Sequence, residues 1–216
     1  KRRTRKTCRE DRGNMKKEIE IILEKLEGFE NPKLFLEQYV TPSNLAAFIV
    51  TNAKLFGDLE TVVDLGCGTG ILAIASAILG AFAIGVDVDI EALRIARRNA
   101  KKLGVEVEFV ACDVKNFKVK KKCTVIMNPP FGIQKRHADR AFLEKAFEIA
   151  EKIYTIHSAG SEEFVKRTAE KNGFLVTHVW RFLIPLRKTY SFHEKPFEEI
   201  AVEVFRIERK NSVSWR

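Results

Sequence analysis

The spacing of hydrophobic positions changes along the chain, from the period of a helix to an alternation of strands and helices. Over 15–27, apolar residues recur at i, i+3, i+4 and i+7, which predicts an amphipathic helix. A second helix is predicted over 43–54. The chain therefore enters its first predicted strand, at residue 61, after two helices.

From residue 61 onward, short apolar runs alternate with helical patterns, and the connections between them are short. Such alternation predicts a parallel sheet with helices on both faces. The predicted strands are 61–65, 82–88, 105–110, 123–127 and 152–157, and the predicted helices are 69–79, 89–103, 139–150 and 161–172. Two long extended stretches, 174–184 and 197–207, follow without a helix between them, which predicts an antiparallel hairpin that closes the sheet.

The predicted fold class is α/β, a Rossmann-like, seven-stranded and mostly parallel sheet with a C-terminal antiparallel hairpin and helices on both faces. Five parallel strands followed by a hairpin resemble the plan of the class I methyltransferases, whereas a plain dinucleotide-binding fold would not need that ending. At 216 residues the chain is long enough for one domain with a full core, predicted over 15–210. It comprises N-terminal helices at 15–56, a cofactor-binding core at 61–157 and the hairpin at 174–207.

The net charge of +9 is concentrated near the N-terminus. Residues 1–14 contain seven Lys or Arg against two acidic residues, so they carry +5 and the other 202 residues carry +4. The folded part is thus mildly basic, which permits a nucleic-acid partner without establishing one. Segment 1–14 is predicted to be a disordered basic tail, and an RNA-binding arm is the alternative.

The composition also excludes several classes of protein. No stretch approaches 18 consecutive apolar residues, so no membrane span is predicted. The four cysteines include no CxxC pair, so no metal site is predicted. Cys112 should end one strand and Cys123 should begin the next at the opposite edge, which disfavours a disulfide. Free thiols fit a reduced compartment, and the predicted localisation is cytoplasmic.

A glycine-rich loop at 64–70, DLGCGTG, follows the first predicted strand. Glycines let the chain turn sharply and let backbone N–H groups approach a ligand. The spacing is G-x-G-x-G, and Ile71 stands where a dinucleotide fingerprint requires its third glycine. Asp64 would repel a phosphate but suits the cationic amino group and sulfonium of S-adenosylmethionine, which is the predicted cofactor.

Two further aspartates end the next predicted strands. Asp87 lies where a carboxylate can accept hydrogen bonds from both ribose hydroxyls, and Asp113 lies where it can accept one from an adenine amine. Open parallel sheets bind their ligands at the carboxyl ends of the strands, so these positions agree with the loop. Asp89, two residues after the second strand, is predicted to be a helix N-cap.

The sequence Asn128-Pro129-Pro130-Phe131 follows a buried apolar run and is the predicted catalytic loop. The Asn128 side-chain oxygen and the Pro129 carbonyl can accept the two N–H groups of a planar amine, and Phe131 can stack on the base. A base held in this way must be flipped out or already unpaired. The pattern therefore predicts methyl transfer to the amino group of adenine.

Several motifs occur together in a fixed order: EQYVTP at 37–42, DLGCGTG at 64–70, IMNPPFG at 126–132, HAD at 137–139 and FH at 192–193. In combination they resemble the archaeal and eukaryotic small-subunit ribosomal RNA adenine-N6 methyltransferases, from about Met15 to Ile207. The resemblance implies an enzyme that methylates the N6 amine of an adenosine in ribosomal RNA. It also implies a small zinc-binding methyltransferase activator protein, docked on the sheet edge.

The motifs and the resemblance together give three predicted sets of site residues. The cofactor-binding set is Gln38, Tyr39, Thr41, Asp64, Gly66, Thr69, Gly70, Asp87, Asp113 and Val114. The catalytic set is Asn128, Pro129, Pro130 and Phe131. Residues just after the catalytic loop are predicted to contact substrate RNA, the basic ones through its phosphates: Lys135, Arg136, His137 and Arg140.

Two alternative functions remain open at this stage. A protein methyltransferase acting on the N5 amide of glutamine would present a similar planar amine to the same acceptors. Phe131 weighs mildly against it. A non-catalytic, RNA-binding scaffold with a methyltransferase fold is the other alternative, and the intact Asn128 and glycine loop weigh against that one.

Overall fold

The computed structural model describes the backbone of residues 2–131, 138–187 and 197–210, and the side chains of 13–131, 139–184 and 199–210. Lys135, Arg136 and His137 of the predicted RNA-contacting set lie outside the described residues.

Six α-helices and seven strands follow one another among the described residues. The helices are α1 Arg2–Leu23, α2 Ser43–Leu55, α3 Ile71–Ile78, α4 Ile90–Leu103, α5 Ala138–Ile149 and α6 Glu162–Lys171. The strands are β1 Thr61–Leu65, β2 Phe82–Asp87, β3 Glu108–Ala111, β4 Cys123–Met127, β5 Ala150–Ser158, β6 Phe174–Arg187 and β7 Phe197–Arg209. Short 3-10 turns cover Leu34–Leu36 and Val114–Asn116.

The seven strands form one sheet in the order β3-β2-β1-β4-β5-β7-β6. The first five strands are parallel, and β7 pairs antiparallel with both β5 and β6. The strand order reverses between β1 and β4, and open sheets bind ligands at such a switch point. The predicted parallel sheet and terminal hairpin are confirmed.

Each face of the sheet carries a hydrophobic core, because successive strand residues point to opposite sides. Val62 of β1 belongs to the cluster that α1, α2 and α3 cover, whereas Val63 belongs to the cluster that α5 and α6 cover. Helix α3, ILAIASAI, is apolar along most of its length, and its first six residues are buried. The sheet is therefore covered on both sides, and ligands can reach it only at its edges and strand ends.

The largest difference from the sequence prediction concerns the N-terminus. The helix predicted over 15–27 begins at Arg2 and ends at Leu23, so it includes most of the segment predicted to be disordered. Segment 2–14 contains no proline and is rich in Arg and Lys, which have high helix propensity. The amphipathic pattern after residue 15 gives the helix its buried residues, Ile19 and Leu23, and the helical backbone continues upstream from them.

Two smaller predictions can be compared directly with the structure. Asp89 caps α4 and accepts a hydrogen bond from the Glu91 backbone N–H, as predicted. Cys112 and Cys123 are free thiols, in agreement with the expectation that their strand positions disfavour a disulfide, and Cys67 is free as well. Within the described part of the chain, no helix is both long enough and apolar enough to cross a membrane.

Candidate active site

A cavity of about 700 Å³ opens at the carboxyl ends of β1, β2, β3 and β4. This volume lies within the usual range for small-molecule sites. Several parts of the chain line it: Phe29, the segment 35–41, the glycine loop with the start of α3, the end of β2, the turn after β3, the catalytic loop and helix α5. The parallel sheet thus brings together motifs that are far apart in sequence.

Most of the predicted cofactor-binding residues line this cavity. They are Gln38, Tyr39, Thr41, Asp64, Gly66, Thr69, Asp87, Asp113 and Val114. Gly70 is the exception among the described residues. It adopts φ +89° at the start of α3, and a Cβ there would approach the Ala96 Cβ to 3.0 Å. Its role is to turn the chain into the helix and to pack against α4.

The first two glycines of the loop pack against aromatic rings. Gly66 has φ +71°, and a Cβ there would lie 2.8 Å from the Phe142 ring of α5. Gly68 has φ +52°, and a Cβ there would lie 2.7 Å from the Phe29 ring. Both rings also line the cavity. Neither Phe29 nor Phe142 is predicted from sequence as a site residue, because an isolated aromatic residue in a helix or loop carries no local signal.

Asp64 is buried at the end of β1, with 1% of its surface exposed. Its Oδ2 accepts a hydrogen bond from the Ala73 backbone N–H at 3.0 Å, whereas its Oδ1 has no hydrogen-bond partner among the described residues. Burial raises the pKa of this carboxyl to about 8. An acid with an unpaired buried oxygen is suited to a cationic ligand, which would stabilise its charged form.

Asp87 fixes the backbone around the cavity. Its Oδ2 accepts from the Gly68 N–H and its Oδ1 accepts from the Asp89 N–H, both at 2.8 Å. Burial raises the pKa of Asp87 as well. The carboxylate therefore holds the glycine loop in place, and the remaining lone pairs of its oxygens can accept from a ligand hydroxyl.

The segment that carries Gln38 and Thr41 is fastened to the start of α4. The Gln38 Nε2 and the Lys33 Nζ each donate to a different oxygen of Asp89, both at 2.7 Å. The Gln38 Oε1 accepts from the Lys33 backbone N–H, also at 2.7 Å. Asp89 is buried, and although burial alone would raise its pKa, the bonds from Lys33 and Gln38 lower it. This carboxylate thus positions one wall of the cavity.

The catalytic loop begins where β4 ends, next to the glycine loop. Asn128 and Pro130 line the cavity, whereas Pro129 is buried and is not among the described lining residues. Phe131 is half-buried and packs against the hydrophobic cluster beneath α1 and α2, and it too is not among them. The structure therefore places the predicted stacking residue against the core.

The amide of Asn128 has a defined orientation. Its Nδ2 donates to the Thr41 Oγ1 at 3.1 Å, which leaves its Oδ1 as the free end of the amide. That oxygen is buried and has no hydrogen-bond partner among the described residues. An unsatisfied buried acceptor costs about 1–3 kcal/mol, so the site is arranged to receive a donor.

One histidine, on the strand next to β4, is held neutral by burial. His157, on β5, is buried, and burial lowers its pKa to about 4. Its Nε2 lies 2.9 Å from the Thr155 Oγ1 and its Nδ1 lies 4.0 Å from Asp139 of α5. It therefore ties α5 to the sheet as a neutral side chain. Arg140, predicted to contact RNA, is exposed on the same helix.

Comparisons with known proteins decide the family. The model of the methyltransferase small domain matches residues 46–177. The chain belongs to that family. It is a methyltransferase, and its cofactor is S-adenosylmethionine.

Several relatives resemble the methyltransferase over nearly its whole length. MJ0284 of Methanocaldococcus jannaschii is 44% identical over 206 residues, 90% of this chain and 94% of that protein. The rRNA N(6)-adenosine-methyltransferase METTL5 of Danio rerio is 34% identical, with 88% of this chain and 97% of that protein covered. PH1948 from Pyrococcus horikoshii, a protein proposed to be an RNA methyltransferase, is 42% identical in sequence. Its crystal structure superposes with a TM-score of 0.84, over 90% of this chain and 98% of that chain.

The residues around the cavity fit this cofactor. The free Oδ1 of Asp64 suits the cationic amino-acid end of S-adenosylmethionine. The Asp87 oxygens can still accept hydrogen bonds, which suits the ribose hydroxyls of the cofactor. Gln38, Tyr39, Thr69, Asp113 and Val114 lie around the same cavity.

The raised pKa of Asp64 predicts a pH-dependent cofactor affinity. Below about pH 8 the carboxyl is protonated without a ligand, and a bound cation favours its ionised form, so binding must release a proton. The association constant for S-adenosylmethionine should therefore rise with pH up to about 8. Calorimetry in buffers of different ionisation enthalpy measures the released proton.

The Asp64→Asn variant is the control for that measurement, because the amino group of the ligand also titrates. The number of protons released on binding by the wild type, minus the number released by the variant, is the contribution of Asp64. Equal proton release by the variant and the wild type would contradict the assignment.

Proposed function

We propose that the methyltransferase transfers a methyl group to the N6 amine of an adenosine in the small-subunit ribosomal RNA. Relatives that cover nearly the whole chain are named rRNA N6-adenosine methyltransferases, in Danio rerio and in Drosophila melanogaster. The observation in the structure that carries the proposal is the free, buried Oδ1 of Asn128 beside the cofactor cavity.

The chemistry of the acceptor follows from this oxygen. The lone pair of an exocyclic adenine amine is delocalised into the ring, so the amine is a weak nucleophile. The Asn128 Oδ1 can accept one of its N–H groups, and the Pro129 backbone carbonyl is the proposed acceptor for the other. Two acceptors in fixed positions favour a pyramidal nitrogen with its lone pair directed into the cavity, by alignment and electrostatics.

The bound cofactor supplies the electrophilic methyl group. Thr41 lines the cavity and accepts from the Asn128 amide, so these residues would hold the cofactor beside the catalytic amide. The target base must leave any helix before it reaches this point, which favours an unpaired or flipped adenosine. The part of Phe131 that is not buried remains the proposed surface for stacking on the base.

Thr41 is expected to set the orientation of the catalytic amide. Replacing it with valine keeps the shape but removes the hydrogen bond from the Asn128 Nδ2, so the amide can rotate. Loss of one such bond corresponds to about a 10-fold lower kcat. Thr41→Ser keeps the hydroxyl and should retain most of the activity. Steady-state kinetics on RNA with saturating cofactor measures the effect.

Thr41 also lines the cofactor cavity, so its two roles must be separated. A valine variant with unchanged kcat and weaker cofactor binding would show that Thr41 serves the cofactor alone. The amide orientation would then have another cause.

The choice of ribosomal subunit has its own test. Unmodified transcripts of the small- and large-subunit ribosomal RNA are incubated separately with the enzyme and labelled S-adenosylmethionine. The proposal expects N6-methyladenosine in the small-subunit transcript. Label confined to the large-subunit transcript would contradict it.

We also propose that the enzyme works in the cytoplasm with a small zinc-binding activator protein on the sheet edge. β3 is an edge strand, three of its four residues are exposed, and Val110 is 36% exposed. An unpaired edge of this kind is a common surface for strand addition by a partner. Co-purification of such a protein with the chain tests this point.

A further inference from the structure

The connection between β3 and β4 carries a basic run with no acidic residue. Residues 115–122 read KNFKVKKK and contain five lysines. All five are exposed. Lys122 donates to the Glu148 carbonyl, whereas the ammonium groups of the other four form no hydrogen bond or ion pair with any described residue: Lys115, Lys118, Lys120 and Lys121. We call these four residues the lysine track.

Two apolar residues anchor the lysine track to the sheet. Phe117 is buried with 8% of its surface exposed, and Val119 packs against the same hydrophobic cluster. The backbone at Phe117 is extended, with φ −69° and ψ 137°. Residues two apart in an extended segment are about 6.6 Å apart, and that is similar to the spacing of successive phosphates in an extended single strand. Lys118 and Lys120, on either side of Val119, thus have this spacing, while Lys115 belongs to the 3-10 turn before them and Lys121 to the bend at 120–121.

The charges of the lysine track are not neutralised by neighbours. Among the described residues, none of its lysines has a carboxylate oxygen within 4.0 Å. Glu148 is the acidic group that faces the track. Its pKa is lowered mainly by a hydrogen bond from Lys145, and further by the charges of Lys118 and Lys122. The track therefore keeps a net positive charge.

The exposed basic residues of α4 provide a contrast, since several of them are used inside the fold. Arg98 forms salt bridges with Glu27 and Glu30. Arg97 donates to the Phe109 carbonyl, and Lys102 donates to the Lys25 carbonyl. This face therefore has a structural role that the lysine track lacks.

The lysine track begins at the active site. Lys115 lines the cofactor cavity, directly after Asp113 and Val114. At the other end of the run, Lys122 donates to the Glu148 carbonyl at the end of α5. The track consequently leads from the cavity along the face of the sheet that α5 covers.

We propose that the lysine track binds the phosphates of the substrate RNA on one side of the target adenosine. This inference rests on the proposed function, because it requires an RNA substrate. It adds a binding surface outside the catalytic loop. A row of exposed ammonium groups that begins at the cavity suits a single strand of regularly spaced charges, since lysine binds phosphate as a point charge.

The test compares two triple variants that remove the same charge. The track variant is Lys118→Gln, Lys120→Gln and Lys121→Gln, and it leaves Lys115 at the cavity intact. The control variant is Arg94→Gln, Lys101→Gln and Lys171→Gln, three exposed residues elsewhere on the surface. Fluorescence anisotropy with a 20-nucleotide single-stranded RNA gives Kd at several salt concentrations.

The track variant should reduce the slope of log K against log salt by about 2, since each lost contact to a single strand contributes about 0.7. This change in slope corresponds to an RNA affinity about 10- to 100-fold lower than that of the wild type at moderate salt. The control variant should change the slope by much less. An equal change in both variants would overturn the proposal, because the effect would then come from net charge alone.

Two further readouts complete the design. If the track variant loses binding to polyglutamate but keeps the RNA slope of the wild type, the surface serves an acidic protein and the proposal fails. Methyl transfer to RNA by the wild type tests the proposed function separately. Normal transfer with an unchanged slope in the track variant would reject the lysine track and leave the function standing.

Discussion

Replacing Asn128 with alanine should lower kcat for RNA methylation by about 10²–10³-fold, the usual range for removing one preorganised polar group of a catalytic site. The Asn128 Oδ1 is buried and free while the Nδ2 is engaged by Thr41, so no neighbouring oxygen can replace it. Affinity for S-adenosylmethionine should stay within a few-fold of the wild type, because the buried carboxylates that suit this ligand, Asp64 and Asp87, are unchanged. Single-turnover kinetics and calorimetry measure the two quantities.

Asn128→Asp is the informative control. A carboxylate keeps an acceptor at the same position but cannot donate to Thr41, so this variant should retain more activity than alanine. Unchanged turnover in the alanine variant would contradict the catalytic role. A large loss of cofactor affinity in the same variant would assign Asn128 to the cofactor instead.

Replacing Asp58 with alanine should destabilise the protein by about 3 kcal/mol, because it removes the buried partner of the Arg206 Nε and of the Tyr154 hydroxyl, although Arg206 keeps its ion pair with Glu208. The Asp58 Oδ2 accepts from the Arg206 Nε at 2.8 Å and from the Tyr154 hydroxyl at 2.7 Å. The side chains of Asp58 and Arg206 are only 4% and 6% exposed. Burial raises the pKa of Tyr154, so the hydroxyl remains a donor. Denaturant unfolding measures the loss.

The Asp58→Asn variant is the matched comparison for charge. An amide keeps an oxygen for Tyr154 and Arg206 but removes the ion pair, so its cost should be intermediate. Asp58→Ala with a cost below about 1 kcal/mol would contradict this expectation, because it would show that the ion pair with Glu208 alone is enough to stabilise the buried Arg206 guanidinium. Arg206 also stacks on Phe56, with its guanidinium 4.4 Å from the ring centroid, so part of its packing survives in either variant.

The sheet could be predicted from sequence because its determinants are local. Thr61–Leu65 and Cys123–Met127 are short apolar runs bounded by loops, and both strands form within the predicted bounds. Parallel pairing then places their ends, and hence Asp64 and Asn128, at one cavity. Most of the cofactor-binding residues predicted from the motifs therefore line the site, whereas many of the apolar residues that complete its wall were not predicted.

The rest depends on contacts between distant parts of the chain. Asp58 and Arg206 are 148 residues apart in sequence, and no periodicity marks them as a pair. The contact of the Phe29 ring with Gly68 also has no signal in the sequence. The capping role of Asp89 was predicted, but its hydrogen bond from Gln38 was not. Gly70 and Phe131 were assigned to ligands from their motifs, whereas the structure shows them packed against neighbouring side chains.

The identity of the methyl acceptor is the central claim, and one measurement tests it most directly. The purified enzyme is incubated with labelled S-adenosylmethionine and total RNA and protein fractions from cells that lack it, and the labelled products are digested and separated. The account predicts label in RNA, released as N6-methyladenosine, and its loss with Asn128→Ala. Label confined to protein, as N5-methylglutamine, would contradict it.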